Sequence, residues 1–123
     1  MNIAFGRVAP SFYVSDLVRA LAFWTDQLGF EVTFTNGDPM CFAAVRRDAA
    51  EIHLVVNAEM AGTCHCHIIV KGIEELFAKL TSNDVTIKQP LKNQPWGLQD
   101  IVVVDPDGNT MEIAEPIREA VSD

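Results

Sequence analysis

The chain has 123 residues, 49% of them apolar, with 9 Lys and Arg against 17 Asp and Glu, a net charge of −8. That length suits one domain with a real core, and the apolar content excludes a disordered or fibrous chain. The acidic balance argues against nucleic acid, whose phosphates require clustered Lys and Arg. No apolar run approaches the roughly 20 residues of a membrane span. The opening MNIAFGRVAP lacks the apolar stretch and small-residue cleavage site of a secretory signal. The expectation is a cytoplasmic protein that engages neither nucleic acid nor a membrane. The acidic surface suits cationic or neutral small ligands, or simply keeps the chain soluble. Cys41, Cys64 and Cys66 are an odd set and do not suggest a disulfide framework.

In chain order, residues 8–14 alternate and carry Phe, Tyr and Val, which predicts a strand with Pro10 on an edge or near its start. Ser15 or Asp16 can cap the helix that follows. Leu17, Ala20, Leu21, Trp24 and Leu28 fall at helical spacing, and Gly29 ends the pattern. Residues 30–35 read as a strand, residues 36–39 as a turn, and residues 40–46 and 51–57 as a hairpin pair. The same order then recurs. Residues 64–70 form a strand, and Ile73, Leu76, Phe77 and Leu80 form a helical stripe. Residues 85–87 are a short strand and residues 89–97 a long loop. Residues 98–104 and 110–115 are strands joined by the turn DPDGN. The tail IREAVSD is either a short helix or a frayed end.

The halves can be laid on each other. An offset of 56 matches Val14 with Val70, Leu17 with Ile73, Leu21 with Phe77 and Trp24 with Leu80; toward the ends it drifts to 59, matching His53 with Glu112. Two amphipathic helices could match by chance, but the shared element order favours duplication. The fold class is therefore α+β, built from two βαβββ modules at about 8–57 and 64–116, with a cleft between them.

Strand side chains alternate between faces. Ile52, Leu54, Cys66, Ile68, Met111 and Ile113 should face the helices. His53, His65, His67, Glu112, Ser11 and Tyr13 then share the opposite face. This parity separates the cysteines from the histidines of Cys64-His65-Cys66-His67, so those four cannot bind one ion. His53, His65 and Glu112 offer two imidazoles and a carboxylate, a donor set for a divalent transition metal with open positions. The alternative is that each histidine is a hydrogen-bonded structural residue. No GxSxG, Walker or GxGxxG signature is present.

The segments VSDL (14–17), FWTDQLGF (23–30), VKGI (70–73), PWG (95–97), DPDGN (105–109) and MEIAEP (111–116) make the chain resemble the vicinal oxygen chelate superfamily. That superfamily contains glyoxalase I, fosfomycin-resistance proteins, extradiol dioxygenases and bleomycin-resistance proteins. The resemblance spans residues 8 to about 116. It implies paired βαβββ modules and a homodimer whose cleft takes strands from both. Metal-using members place ligands at positions that match Ala9, His53, His65 and Glu112 here; Ala9 has no donor, a departure from the pattern. The Pro95-Trp96-Gly97 loop is similar to the bleomycin-resistance branch, which binds a flat, positively charged antibiotic without metal or chemistry. Trp96 then either offers a stacking face or plugs the core. Trp24 is expected in the core, and Asp105 and Asp107 are expected to shape their turn.

Two readings follow. The first is a binding protein that holds an aromatic or cationic small molecule with Trp96, Tyr13, Ser11 and His67, needs no cofactor, and sequesters an antibiotic. The second is an enzyme using zinc, nickel, manganese or iron at His53, His65 and Glu112. A non-catalytic sensor domain is a third reading without positive support.

Overall fold

The computed structural model describes residues 2–117. The expected tail element lies outside the described residues from residue 118 onward. The first half runs β1 (Ser11–Val14), α1 (Leu17–Ala22), β2 (Glu31–Asn36), β3 (Phe42–Arg47) and β4 (Ala50–Val56). The second runs β5 (His65–Ile69), α2 (Ile73–Ser82), β6 (Ile87–Asn93), β7 (Leu98–Val104) and β8 (Thr110–Pro116). Each half makes one four-stranded mixed sheet, in the orders β1-β4-β3-β2 and β5-β8-β7-β6. The first strand of each half lies parallel to its last, and the remaining pairs are antiparallel. The architecture is α+β with two βαβββ modules. No described helix is long and apolar enough to cross a membrane.

The core follows from the periodicities. Phe12 and Val14 of β1, Ile52 and Leu54 of β4, Ile101 and Val103 of β7, and Met111 and Ile113 of β8 are all buried under the helices. Asp16 caps α1 through the Arg19 N–H at 3.1 Å. Past Ala22 the helix widens into a π-turn over Phe23–Gln27. The extra residue turns Phe23 inward beside Trp24, a position that strict 3.6 spacing leaves out. The rings of Phe12, Phe23 and Phe30 surround Trp24 edge-on at 5.9, 5.7 and 4.9 Å. Gly72 gives α2 no side-chain cap, so Glu115 of β8 accepts from the N–H groups of Gly72 and Ile73 at 3.1 and 2.9 Å. That carboxylate also meets the positive end of the helix.

Element boundaries differ from expectation at the start of β1 and over residues 85–97, where Val85 and Thr86 precede β6 instead of forming a short strand. Strand order begins at Ser11 rather than residue 8, because residues 2–9 run along the outside without a partner strand. The expected loop over 89–97 is in large part strand. β6 extends to Asn93, carrying Pro90 on a sheet edge where no N–H is needed, with register shifts on either side of Gln89.

The modules are joined by the DPDGN turn. Asp105 accepts from the backbone N–H groups of Asp107 and Asn109 and from the Asn109 side chain. Burial nevertheless pushes its carboxyl above the usual range. Asp107 then reaches the first module, accepting from the Ser15 backbone N–H and hydroxyl and from Arg19. Asn109 is fully buried; it donates to the Tyr13 carbonyl and accepts from the Cys64 N–H, both at 2.9 Å. Gly62 has φ +89°, and a Cβ there would lie 2.5 Å from the Asp107 carbonyl oxygen, so this close seating of the turn requires glycine. The sequence reading of Asp105 and Asp107 as turn-shaping residues is therefore incomplete: Asp107 ties the two halves together.

Candidate functional site

The face of the first sheet turned away from the helices is set by the ladder. Ser11 lies opposite His53, and Tyr13 opposite Val55; Ala44 lies opposite His53 on the other side, with Phe34 opposite Ala44 in turn. Phe34, Phe42 and His53 form an aromatic row across this face, with ring centroids 6.0 and 5.2 Å apart and edge-to-face geometry. Phe34 is 56% exposed and every residue of β2 is exposed. At the rim, Glu51 accepts from His53 Nε2 at 2.8 Å and pairs with Arg7 at 3.2 Å. The imidazole hydrogen bond and then the Arg7 charge hold the Glu51 carboxyl below the usual range.

The matching face of the second sheet is polar. His65 lies opposite Thr110 and hydrogen-bonds its hydroxyl at 2.6 Å. His67 lies opposite Glu112, with Nε2 to Oε1 at 3.9 Å. On β7, Val102 faces Glu112 and Asp100 faces Ala114, so Asp100 joins the same surface. Asp100 is 1% exposed, and its Oδ1 accepts from the side-chain amides of Gln89 and Gln94 at 2.8 and 3.0 Å. The Asp100 and Glu112 carboxyls share a hydrogen bond, which holds Glu112 above the usual carboxylate range, with burial adding to the rise. Burial opposes the charge on Asp100. The bonds from Glu112, Gln89 and Gln94 outweigh it and hold that carboxyl low.

The sign of this arrangement gives a test. A group whose folded pKa is raised contributes stability that is fully present below its unfolded value and is lost as pH rises through the folded one. Glu112→Gln supplies an N–H donor to Asp100 at every pH. The variant should match the parent at about pH 4 and exceed its urea midpoint at about pH 8, the window opening across the raised Glu112 value. Equal midpoints at both pH values would mean that Asp100 does not raise the Glu112 carboxyl.

Of the residues expected to line a ligand, Tyr13 is half-buried and Ser11 exposed on the first sheet, and His67 is exposed on the second. Trp96 is 65% exposed at the β6–β7 turn, which removes the core-plug alternative. Gln94 is buried at that turn instead. Phe34, Phe42 and Asp100 belong to these faces and were not among the expected residues. The cysteines do separate from the histidines: Cys64 and Cys66 pack against the core, and burial pushes the Cys66 thiol to about 11, so it is a poor nucleophile.

The metal donors do not fit together within one chain. Among the described residues, no group of three or more His, Cys, Asp or Glu side chains is placed to hold an ion. His53 is bonded to Glu51, His65 to Thr110, and Glu112 to Asp100. The register also brings His67, rather than His65, opposite Glu112.

Comparison with known proteins agrees with this architecture. A bleomycin resistance protein of Geobacillus stearothermophilus is 29% identical over 131 aligned residues, covering 89% of this chain and 96% of that protein. The structure of a glyoxalase/bleomycin resistance protein/dioxygenase superfamily member from Sphaerobacter thermophilus is 28% identical, with TM-score 0.76 over 90% of this chain and 98% of that one. The bleomycin-binding protein of bleomycin-producing Streptomyces verticillus, solved with copper(II)-bleomycin, shares the fold at 24% identity. Its TM-score is 0.77, over 96% of this chain and all of that one. The family model itself matches residues 4–113. The chain belongs to the Glyoxalase/Bleomycin resistance protein/Dioxygenase superfamily.

Proposed function

We propose that this protein binds a small organic molecule carrying a flat aromatic system and a cationic group, of the bleomycin type, and releases it unchanged. The observation that carries the reading is the pairing of an accessible aromatic row, Phe34–Phe42–His53, on one sheet with buried Asp100 and half-buried Glu112 on the other. Aromatic faces hold planar rings, and a carboxylate with low local solvation favours a cation. The relatives named for bleomycin resistance support the ligand class. Trp96, Tyr13, Ser11 and His67 extend the contact surface.

The two faces act together when a second copy brings them opposite each other, so the working unit is a homodimer. Support comes from apolar side chains that a lone chain leaves in water: Ile3, Phe5 (97% exposed) and Val8 on the outer segment, with Phe34 and Ile69 on the sheets. Its place is the cytoplasm, in keeping with three free cysteines. A divalent ion at His53, His65 and Glu112 would need donors from both copies, and this second reading rests on the donor types alone.

Trp96→Ala tests the stacking role. Trp24 is buried, so ligand-dependent quenching of indole fluorescence reports Trp96. The variant should lose that quenching and bind metal-free bleomycin about tenfold more weakly by calorimetry. Unchanged affinity would remove Trp96 from the site.

A further inference from the structure

The duplication is broken at one place, and the break leaves a groove. On one side of the inter-module joint, the five-residue β7–β8 turn (105–109) reaches Ser15 and Arg19 through Asp107. The offset of 56 matches Ser15 with Lys71 and Arg19 with Glu75. The turn that would reach those residues is Asp48-Ala49, between β3 and β4, which has only two residues. Among the described residues, no hydrogen bond or ion pair joins it to Lys71 or Glu75. A groove of about 590 Å³ remains there, lined by the turn, the end of β5 and one side of α2.

Its floor is apolar, formed by Leu28, Phe30, Ile68, Val70, Leu76 and Ile113. At its rim stand three of the chain's nine cations, Arg47, Lys71 and Lys79, against two anions, Asp48 and Glu75. None of the three cations is in an ion pair among the described residues. Arg47 is held in place because its Nη1 donates to the Leu28 carbonyl at 2.8 Å. A net positive rim is distinctive on a chain of charge −8. The volume lies within the range of small-ligand sites, about 300–1,000 Å³.

We infer that this groove is a second ligand site, separate from the outer sheet faces, for an amphipathic anion: a carboxylate at Lys71 and Lys79 with an apolar tail on the Leu28–Phe30–Leu76 floor. The polarity is opposite to that of the ligand proposed for the sheet faces, so one molecule does not serve both.

The test is calorimetric titration of the full chain with decanoate, kept below its micelle threshold, and with decyltrimethylammonium as the charge-reversed probe. Saturable decanoate binding is expected, with about a tenfold loss in the exposed double variant Lys71→Glu/Lys79→Glu, whereas any binding of the cation, which the sheet faces can supply, should not weaken in that variant. Leu76→Gln should weaken decanoate and leave the cation unchanged. The inference is overturned if decanoate does not bind saturably, if the double variant binds it equally, or if the double variant loses affinity for the cation in the same proportion as for decanoate. It is also overturned if the double variant alters sedimentation, because the groove would then be a contact between copies.

Discussion

Replacing Asn109 with alanine is expected to cost about 4 kcal/mol of unfolding free energy, read from the urea midpoint. The side chain is fully buried and serves three partners: it donates to the Tyr13 carbonyl and to Asp105, and accepts from the Cys64 N–H. Each partner left unpaired in a dry interior costs roughly 1–3 kcal/mol. Those partners sit in β1, in the DPDGN turn and just before β5, so the loss falls on the joint between modules. Asn109→Asp should rescue little. It keeps an acceptor for Cys64 but removes both donors and sets a second carboxylate beside Asp105. A shift under about 1 kcal/mol for the alanine variant would show that water repairs the joint.

The second large effect is on binding. Phe34→Ala with Phe42→Ala should weaken metal-free bleomycin by about 2.5 kcal/mol, roughly 70-fold in Kd, with a smaller change in stability. Phe34 is more than half exposed, so its contribution to the core is slight. Phe42 is partly buried and bridges Phe34 to His53, so the row acts as one platform. Equal affinities in parent and double variant, both folded by circular dichroism, would move the ligand off this face.

Much of this arrangement was legible in the sequence. Period-2 parity places His53, His65, His67 and Glu112 on the outer faces because a one-residue error would put them in the core. The element order of both modules follows from two helical stripes and from turns at Gly29, DPDGN and their neighbours. The aromatic row was not legible, because β2 carries a register shift between Val32 and Phe34. A bulge breaks simple alternation, so counting along 30–35 gives no secure face for Phe34.

Asp100 was missed for a different reason. A single acid within LQDIVVV reads as an exposed strand position, since its partners, Gln89 on the irregular strand β6 and Gln94 in the turn after it, fall in the segment that was expected to be a loop. The retrievable signal was parity with Val102, which faces Glu112. At the β6–β7 turn, sequence alone left Trp96 either stacking or core-filling. The amide of Gln94 takes the buried position by bonding to Asp100, and the indole is left outside. Residue type names the candidates here, and the hydrogen-bond demand of a buried carboxylate decides which one goes inside.

The central claim, reversible binding of a bleomycin-type ligand, is tested most directly by calorimetric titration of the unmodified protein with metal-free bleomycin, followed by mass analysis of the released ligand. The account predicts saturable binding of about one ligand per chain and recovery of the ligand at unchanged mass. No saturable binding, or a ligand returned chemically altered, would contradict it.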